Sequence, residues 1–234
     1  MKQTIGIDIG ASKIIFVLLK DKKLVKDIRI KTPKTKTLLI RALKDNLKKF
    51  PKVKIGIGIP GKIKGKTIKY CPNLKYLNNT NLEKELKKNI VLENDANCFV
   101  LAEAIMGNYK GTVLGITLGS GLGSGLVKNQ KIKGNLELGH IKIKAKGRRC
   151  TCGKKGCLEE YASAKFLKRN KTYKELGKNL NIGLNKAKIK ADIIILGGGI
   201  ARSHKYFLKE IKRDVKISKL GEKAGAIGAA LLVQ

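Results

Sequence analysis

The chain has 234 residues, 42% of them hydrophobic, enough for one large or two small domains whose core needs no disulfide support. Against 17 Asp and Glu stand 52 Lys and Arg, a formal charge of +35, yet the cations are spread through every kind of segment and aromatics are only 5%. That excludes an obvious base-stacking platform, so any contact with nucleic acid is expected to be non-specific, through a basic surface.

The first apolar run, Thr4 to Leu19, is broken by Asp8, Gly10 and Lys13 and carries no cleavage pattern, so neither a membrane span nor a membrane partner is expected. The run reads instead as two buried strands joined by a turn at Asp8 to Ser12, with a third strand over Leu24 to Ile30. Asp8 ends a buried strand and is followed by Gly10 and Ser12. It serves either a metal-bound water beside phosphate donors or simply the closing of a tight turn.

Leu39, Ile40, Leu43, Leu47 and Phe50 fall at helical spacing, which predicts a helix over Thr35 to Phe50. Lys54 to Pro60 predicts a strand ending in Gly-Ile-Pro-Gly61. The sequence Gly61-Lys-Ile-Lys-Gly65-Lys66-Thr67 has one residue too few for a P-loop, and strand-like residues follow it, so a P-loop is rejected. After the loop at Pro72-Asn73-Leu74, a short helix is expected over Asn81 to Lys88. Ile90 then begins a strand that runs into a helix at Asn94-Asp95. Asp95 sits at the carboxyl end of that strand, where open α/β sheets bind ligands, although an ordinary N-cap reads the same locally.

Thr112 to Thr117 predicts another strand, entering the glycine run that contains Gly119, Ser120, Gly121, Gly123 and Gly125. Alternating glycines suit either a phosphate cradle or a flexible turn. This strand, glycine turn and strand echo Ile5 to Val17 and suggest two related lobes, expected at residues 1–106 and 107–234. Ile141 to Ala145 predicts a strand. The segment from Cys157 turns into a helix continuing over Glu160 to Lys168, and Lys174 to Leu184 forms another. Ile193 to Leu196 is a buried strand ending in glycines, followed by a helix with Phe207, Leu208 and Ile211. A final strand is expected over Val215 to Leu220, and a small-residue helix from Ala224 that suits close packing on a sheet, back on the first lobe.

Five cysteines cannot all pair, and Cys150, Cys152 and Cys157 crowd together near His140. Three thiolates and an imidazole are the usual donor set of a closed tetrahedral zinc site, so a structural Zn²⁺ is expected in an intracellular, cytoplasmic chain, with inert buried thiols as the alternative. His204, alone on a basic segment, reads as a surface residue.

These pieces together resemble the ROK sugar kinases, glucokinase-like members of the actin-like ATPase superfamily. The matching stretches occur in the family order: Asp8-Ile-Gly10-Ala-Ser12, Gly58-Ile-Pro-Gly61, Pro72-Asn73-Leu74, Glu93-Asn94-Asp95-Ala96-Asn97, Gly119-Ser120-Gly121-Leu-Gly123, Glu137-Leu-Gly-His140, the cysteine segment through Glu159, and Leu196-Gly-Gly198-Gly-Ile200. The resemblance implies an α/β, two-lobed, ribonuclease-H-like fold. It also implies ATP-dependent phosphorylation of a hexose, with glucose and its 6-hydroxyl first among the candidates, as part of carbohydrate metabolism. Asp95 would be the general base. Gly61, Asn73, Asn94, Glu137, His140 and Glu159 would hold the sugar. Asp8, Gly10, Ser12, Lys13, Gly119, Ser120, Gly121 and Gly198 would hold ATP and its Mg²⁺.

Two departures bear on that expectation. Ser12 stands where the family commonly has Thr, and little more than thirty residues separate Glu159 from Ile193, so the C-terminal lobe is shortened and the usual homodimer contacts are put in question. The first strand starts by Thr4, so the N-terminal helix-turn-helix of the family's repressors is not expected. A non-catalytic protein that binds sugar or nucleic acid is the competing reading.

Overall fold

The structure, a computed structural model, describes residues 2–170 and 172–234. It is α/β, as expected, and divides into two units, residues 1–102 with 223–234 and residues 103–222.

In the first unit, β1 (Gln3–Ile9), β2 (Lys13–Lys20) and β3 (Lys23–Lys31) form the expected meander. The chain continues through α1 (Lys36–Leu47), whose Thr35 accepts a hydrogen bond from the Leu38 N–H, and β4 (Lys54–Ile59). A small sheet follows, made of β5 (Lys62–Lys64), β6 (Thr67–Tyr70) and β7 (Thr80–Asn81), so the rejected P-loop is a hairpin. Then come α2 (Leu82–Leu86), β8 (Ile90–Asn94) and α3 (Asp95–Met106). The main sheet has the order β3-β2-β1-β4-β8, with β1, β4 and β8 parallel. Those three strands therefore end together at Ile9, Ile59 and Asn94.

The two faces of this sheet are covered differently. Ile5, Ile7, Ile9, Ile14 and Phe16 project into a core with Leu39, Leu43 and Leu47 of α1. The opposite face carries Gly6, Asp8 and Gly56 and receives α6 (Ala224–Leu231), which is buried along its length. Here the sequence dictates an unusually close approach. A Cβ built on Gly6 would lie 1.8 Å from the Ala226 carbonyl oxygen, and one on Gly56 would lie 1.8 Å from that of Ala229.

In the second unit β9 (Thr112–Leu118), β10 (Leu122–Lys128) and β11 (Lys131–Asn135) form a second meander. After α4 (Ala164–Asn170) and α5 (Tyr173–Ala187), β12 (Ile193–Gly197) pairs in parallel with β9 and with β13 (Val215–Ile217). The sheet order is β11-β10-β9-β12-β13. Leu176, Leu180 and Leu184, one face of α5, pack with Leu158, Phe166 and Phe207.

Four expectations are corrected. Ile141 to Ala145 is not a strand: its alternation has no partner strand, and its backbone meets the cysteine loop through one isolated bridge, Lys142 to Cys157. The helix from Cys157 is broken, a 3₁₀ turn over Leu158–Tyr161 preceding α4. The helix around Phe207 is likewise two 3₁₀ segments, Gly199–Tyr206 and Leu208–Glu210, and the last strand stops at Ile217. Among the described residues no helix is long and apolar enough to cross a membrane.

Gly56→Ala is expected to destabilise the protein by about 2 kcal/mol or more, because the new methyl meets helix backbone rather than a side chain that can rotate away. Urea unfolding measures the effect, and an unchanged midpoint would show that α6 does not rest on β4.

Candidate active site

In the first unit the carboxyl ends of β1, β4 and β8 bring Asp8 and Asp95 to the two sides of Gly58. Gly58 is the register partner of Asp8, and a Cβ on it would lie 3.7 Å from the Asp95 Cα. Asp95 opens α3. Its Oδ1 accepts from the Ala96 N–H at 2.9 Å, while Asn94 Oδ1 accepts from the same N–H at 2.9 Å. Asn94 Oδ1 also accepts from the Asn97 N–H at 3.4 Å, so Asn94 and one Asp95 oxygen share the capping of this helix end. Asn94 Nδ2 also donates to the Gly61 carbonyl at 3.3 Å, tying the end of β8 to the turn after β4.

Both carboxylates are half-buried, and burial is the first cause of their raised pKa values. Asp95 is pushed up to about 6, against the pull of the backbone N–H groups that it accepts from. Asp8 goes further, to about 7, because the negative charge of Asp95 adds to burial while Lys13 works against both. The Asp8 carboxylate also lies against the first turn of α6, where a Cβ on Gly225 would come 2.6 Å from Oδ2.

The turn after β1 is braced. Gly10 N–H donates to the Lys13 carbonyl at 3.0 Å, Thr32 Oγ1 donates to the Gly10 carbonyl at 2.7 Å, and Thr32 N–H donates to the Ser12 carbonyl at 3.2 Å. Ser12 is exposed beside it, and Asn73 is exposed in the turn after β6.

The second unit repeats the arrangement of strand, glycine turn and strand. Gly119 N–H donates to the Gly121 carbonyl at 3.0 Å, and the Gly119 carbonyl accepts from the Ala164 N–H at 2.8 Å, so the turn is tied to the start of α4. Ser120 is exposed at its tip. Glu159 reaches the same turn, its Oε2 accepting from the Leu122 N–H at 2.9 Å. Gly198, with φ +83°, packs against the end of β9, where a Cβ would lie 2.3 Å from the Leu118 carbonyl oxygen.

His140 and the cysteines converge. His140 Nδ1 lies 3.5 Å from Cys150 Sγ, Cys152 Sγ lies 3.6 Å from Cys157 Sγ, and all four ligand atoms fall within 4.8 Å of one another. A tetrahedral zinc with bonds of about 2.3 Å to sulfur and about 2.0 Å to nitrogen needs ligand separations of about 3.5–3.8 Å, so the donor set fits that ion. Burial, reinforced by hydrogen bonds from the neighbouring thiols, pushes Cys157 up to about 12, so uptake of a metal here must displace protons. The other imidazole nitrogen, Nε2, faces Glu137 Oε2 at 3.7 Å. His140 thus offers one nitrogen to the cysteines and the other to the Glu137 side.

Several contacts escape a reading of the sequence. Thr32 clamps the first turn from just beyond β3, and Gly225 meets Asp8 from α6; both depend on tertiary register. Glu93 Oε1 accepts from the Asn94 N–H at 2.8 Å and from Asn97 Nδ2 at 3.0 Å, holding the start of α3. Its position beside Asn94-Asp95 is the one available signal.

The raised Asp8 pKa makes a testable statement about stability. Between pH ~4 and ~7 the folded state keeps a proton that the unfolded chain has released, so the Asp8 contribution is present below pH ~4 and lost as pH rises through ~7. Asp8→Asn is therefore expected to be more stable than wild type at pH 8, by about 1–2 kcal/mol after allowance for solvent at a half-buried group, with the difference closing at pH 4. Urea midpoints at the two pH values check this, and a gap that widened toward acid would contradict it.

A family model described as the ROK family matches residues 4–183. The glucokinase of Thermotoga maritima is 27% identical over an alignment of 309 residues that covers 98% of this chain and 96% of the relative, a length that this shorter chain spans only with gaps. A Streptomyces griseus ROK glucokinase solved with glucose and AMPPNP superimposes with a TM-score of 0.84 at 25% identity, covering 99% of both chains. An inorganic polyphosphate/ATP-glucomannokinase from Arthrobacter sp. strain KM does so with a TM-score of 0.83 at 28% identity, covering 100% of this chain and 98% of the other. With its two strand–glycine-turn–strand units and a family match over most of its length, the chain belongs to the ROK family.

Proposed function

We propose that the protein is an ATP-dependent hexose kinase, glucokinase-like, that transfers the terminal phosphoryl group of ATP to a sugar 6-hydroxyl. The observation that carries this reading is the pair of half-buried carboxylates, Asp8 and Asp95, on either side of Gly58 at the ends of parallel strands. Asp95, with a pKa of about 6, is ionised near neutrality and still basic enough to accept a proton from an attacking hydroxyl. The kinase relatives, including the one solved with glucose and an ATP analogue, support the substrate class.

In this reading the N-terminal lobe, residues 1–106, supplies Asp95 and orients the sugar through Asn94, Asn73 and the backbone at Gly61. The C-terminal lobe, residues 107–234 with its last helix returning to the first, would carry Glu137, Glu159 and the Nε2 side of His140. Asp8 would hold Mg²⁺, which when bound neutralises charge on the transferring phosphates. The turns at Gly10 to Lys13 and Gly119 to Gly121 would present backbone N–H groups and the Ser12 and Ser120 hydroxyls to those phosphates, with Gly198 on the nucleoside side. A structural zinc on His140, Cys150, Cys152 and Cys157 would fix the imidazole so that its other nitrogen keeps one orientation. The enzyme would act in the cytoplasm.

Asp95→Asn is expected to lower kcat by at least about 100-fold while leaving sugar affinity within a few-fold, since general-base catalysis contributes about that much. A coupled assay of sugar-dependent ADP formation over a panel of hexoses reads this, and wild-type turnover in the variant would refute the assignment. The wild-type rate should fall as pH drops below about 6, where Asp95 takes up its proton. For the metal, elemental analysis should find about one zinc per chain in wild type and none in Cys157→Ser, because a closed site needs all four ligands. A thermal-shift comparison with Mg-ATP, glucose and duplex DNA separates the kinase from a non-catalytic binding protein, for which DNA or sugar alone would stabilise.

A further inference from the structure

Two turns of the first unit that serve different substrates in the kinase reading are joined by an unbroken run of covalent and hydrogen bonds. One, Gly10 to Lys13 after β1, would hold phosphates; the other, Pro72-Asn73-Leu74 after β6, would hold the sugar through Asn73. The sugar turn is closed by the Leu74 N–H on the Cys71 carbonyl at 3.3 Å and runs straight into a 3₁₀ turn over Lys75–Leu77. Leu74 and Leu77 are buried and hold this segment on the core. Tyr76 stands on the 3₁₀ turn, and its hydroxyl donates to the Pro33 carbonyl at 2.5 Å.

Thr32 and Pro33 form the next link, and the sequence makes it stiff. The proline ring fixes its own φ and confines Thr32 before it to extended backbone. From there Thr32 grips the phosphate turn twice, Oγ1 donating to the Gly10 carbonyl at 2.7 Å and N–H donating to the Ser12 carbonyl at 3.2 Å. Thr32 is 7% exposed, so little water competes for either bond. Both side chains in the path are held: Tyr76 packs against the core, and Thr32 is β-branched. A displacement of the sugar turn is therefore felt at Gly10 and Ser12.

We propose that Tyr76 and Thr32 are positioning residues that couple the two turns, so that sugar held at Asn73 tightens the grip of the Gly10 to Lys13 turn on nucleotide phosphates. The inference rests on the kinase reading above. Neither residue acts on a reacting atom; each acts through the turn it holds. The first ligand meets the entropic cost of ordering the joined turns, and the second binds without that cost. By linkage the effect is reciprocal, so nucleotide must tighten sugar binding by the same factor.

Two measurements test the tie on wild type, Tyr76→Phe, Thr32→Val and Thr32→Ser. Tyr76→Phe removes a single oxygen and Thr32→Ser keeps the hydroxyl, and melting curves check that each variant is folded. The first measurement needs no ligand. Amide hydrogen exchange, read by NMR, follows the Gly10 and Thr32 N–H groups, which are both bonded in the braced turn. Both should exchange about two- to tenfold faster in Tyr76→Phe and in Thr32→Val, the scale of one lost hydrogen bond, with the amides of β4 unchanged and Thr32→Ser close to wild type. Equal exchange in wild type and Tyr76→Phe would overturn the tie.

The second measurement is the affinity for AMPPNP with Mg²⁺, with and without saturating glucose. Glucose should tighten it by about fivefold or more in wild type and in Thr32→Ser. In Tyr76→Phe that factor should fall to about twofold or less, while each ligand alone binds within about twofold of wild type, a split that general loss of stability does not produce. An uncoupled wild type, or a factor that Tyr76→Phe leaves unchanged, would overturn the coupling with the kinase standing. If neither ligand binds, the kinase reading fails and takes the coupling with it, whereas the exchange measurement still decides whether the two turns are tied.

Discussion

Helix α6 lies so close to the sheet of residues 1–102 that its backbone occupies the space where side chains would stand at Gly6 and Gly56. The same helix presses on α3, where a Cβ at Gly228 would come 1.7 Å from the Cys98 carbonyl oxygen. Contacts of this kind replace side-chain interdigitation by backbone surface, and they tolerate no added volume. They also set the depth of the site: Asp8 projects from this face of the sheet and meets α6 at Gly225, so the carboxylate loses part of its water.

Two acids share that poorly hydrated corner, and their electrostatics are asymmetric. Asp95 sits at a helix start, where backbone N–H groups partly offset burial, while Asp8 has Lys13 as its counterweight and Asp95 as an adverse neighbour. One acid is thereby tuned close to neutrality and the other somewhat lower, so the two give up their protons at different pH. The fold thus carries a corner whose carboxylates cost stability once they ionise.

Much of this was legible in the sequence, for identifiable reasons. Apolar runs such as Ile5 to Ile9 and Ile193 to Leu196 are short and bounded by glycine, so buried strands were the natural reading. The strand-to-helix junction put Asp95 at a sheet's carboxyl edge. The meeting of the three cysteines with His140 was readable because all four residues come from one contiguous stretch. What stayed hidden depends on register or on a competing force. Ile141 to Ala145 alternates like a strand, yet the Ile143 and Lys144 N–H groups both turn to the Gly156 carbonyl, so the cysteine loop organises it rather than a sheet. Thr32 carried no local signal. Its role arises only once the end of β3 is laid against β2 in one particular register.

The order of the chain has a consequence for how the molecule is made. Residues 223–234 belong with residues 1–102, and every residue of the second unit is translated between them. A ribosome therefore releases the first sheet with its glycine-lined face bare, and that face waits until residues 223–234 emerge. During synthesis the second unit, whose sequence is continuous, is free to complete its core first, reversing the N-to-C order in which domains generally fold.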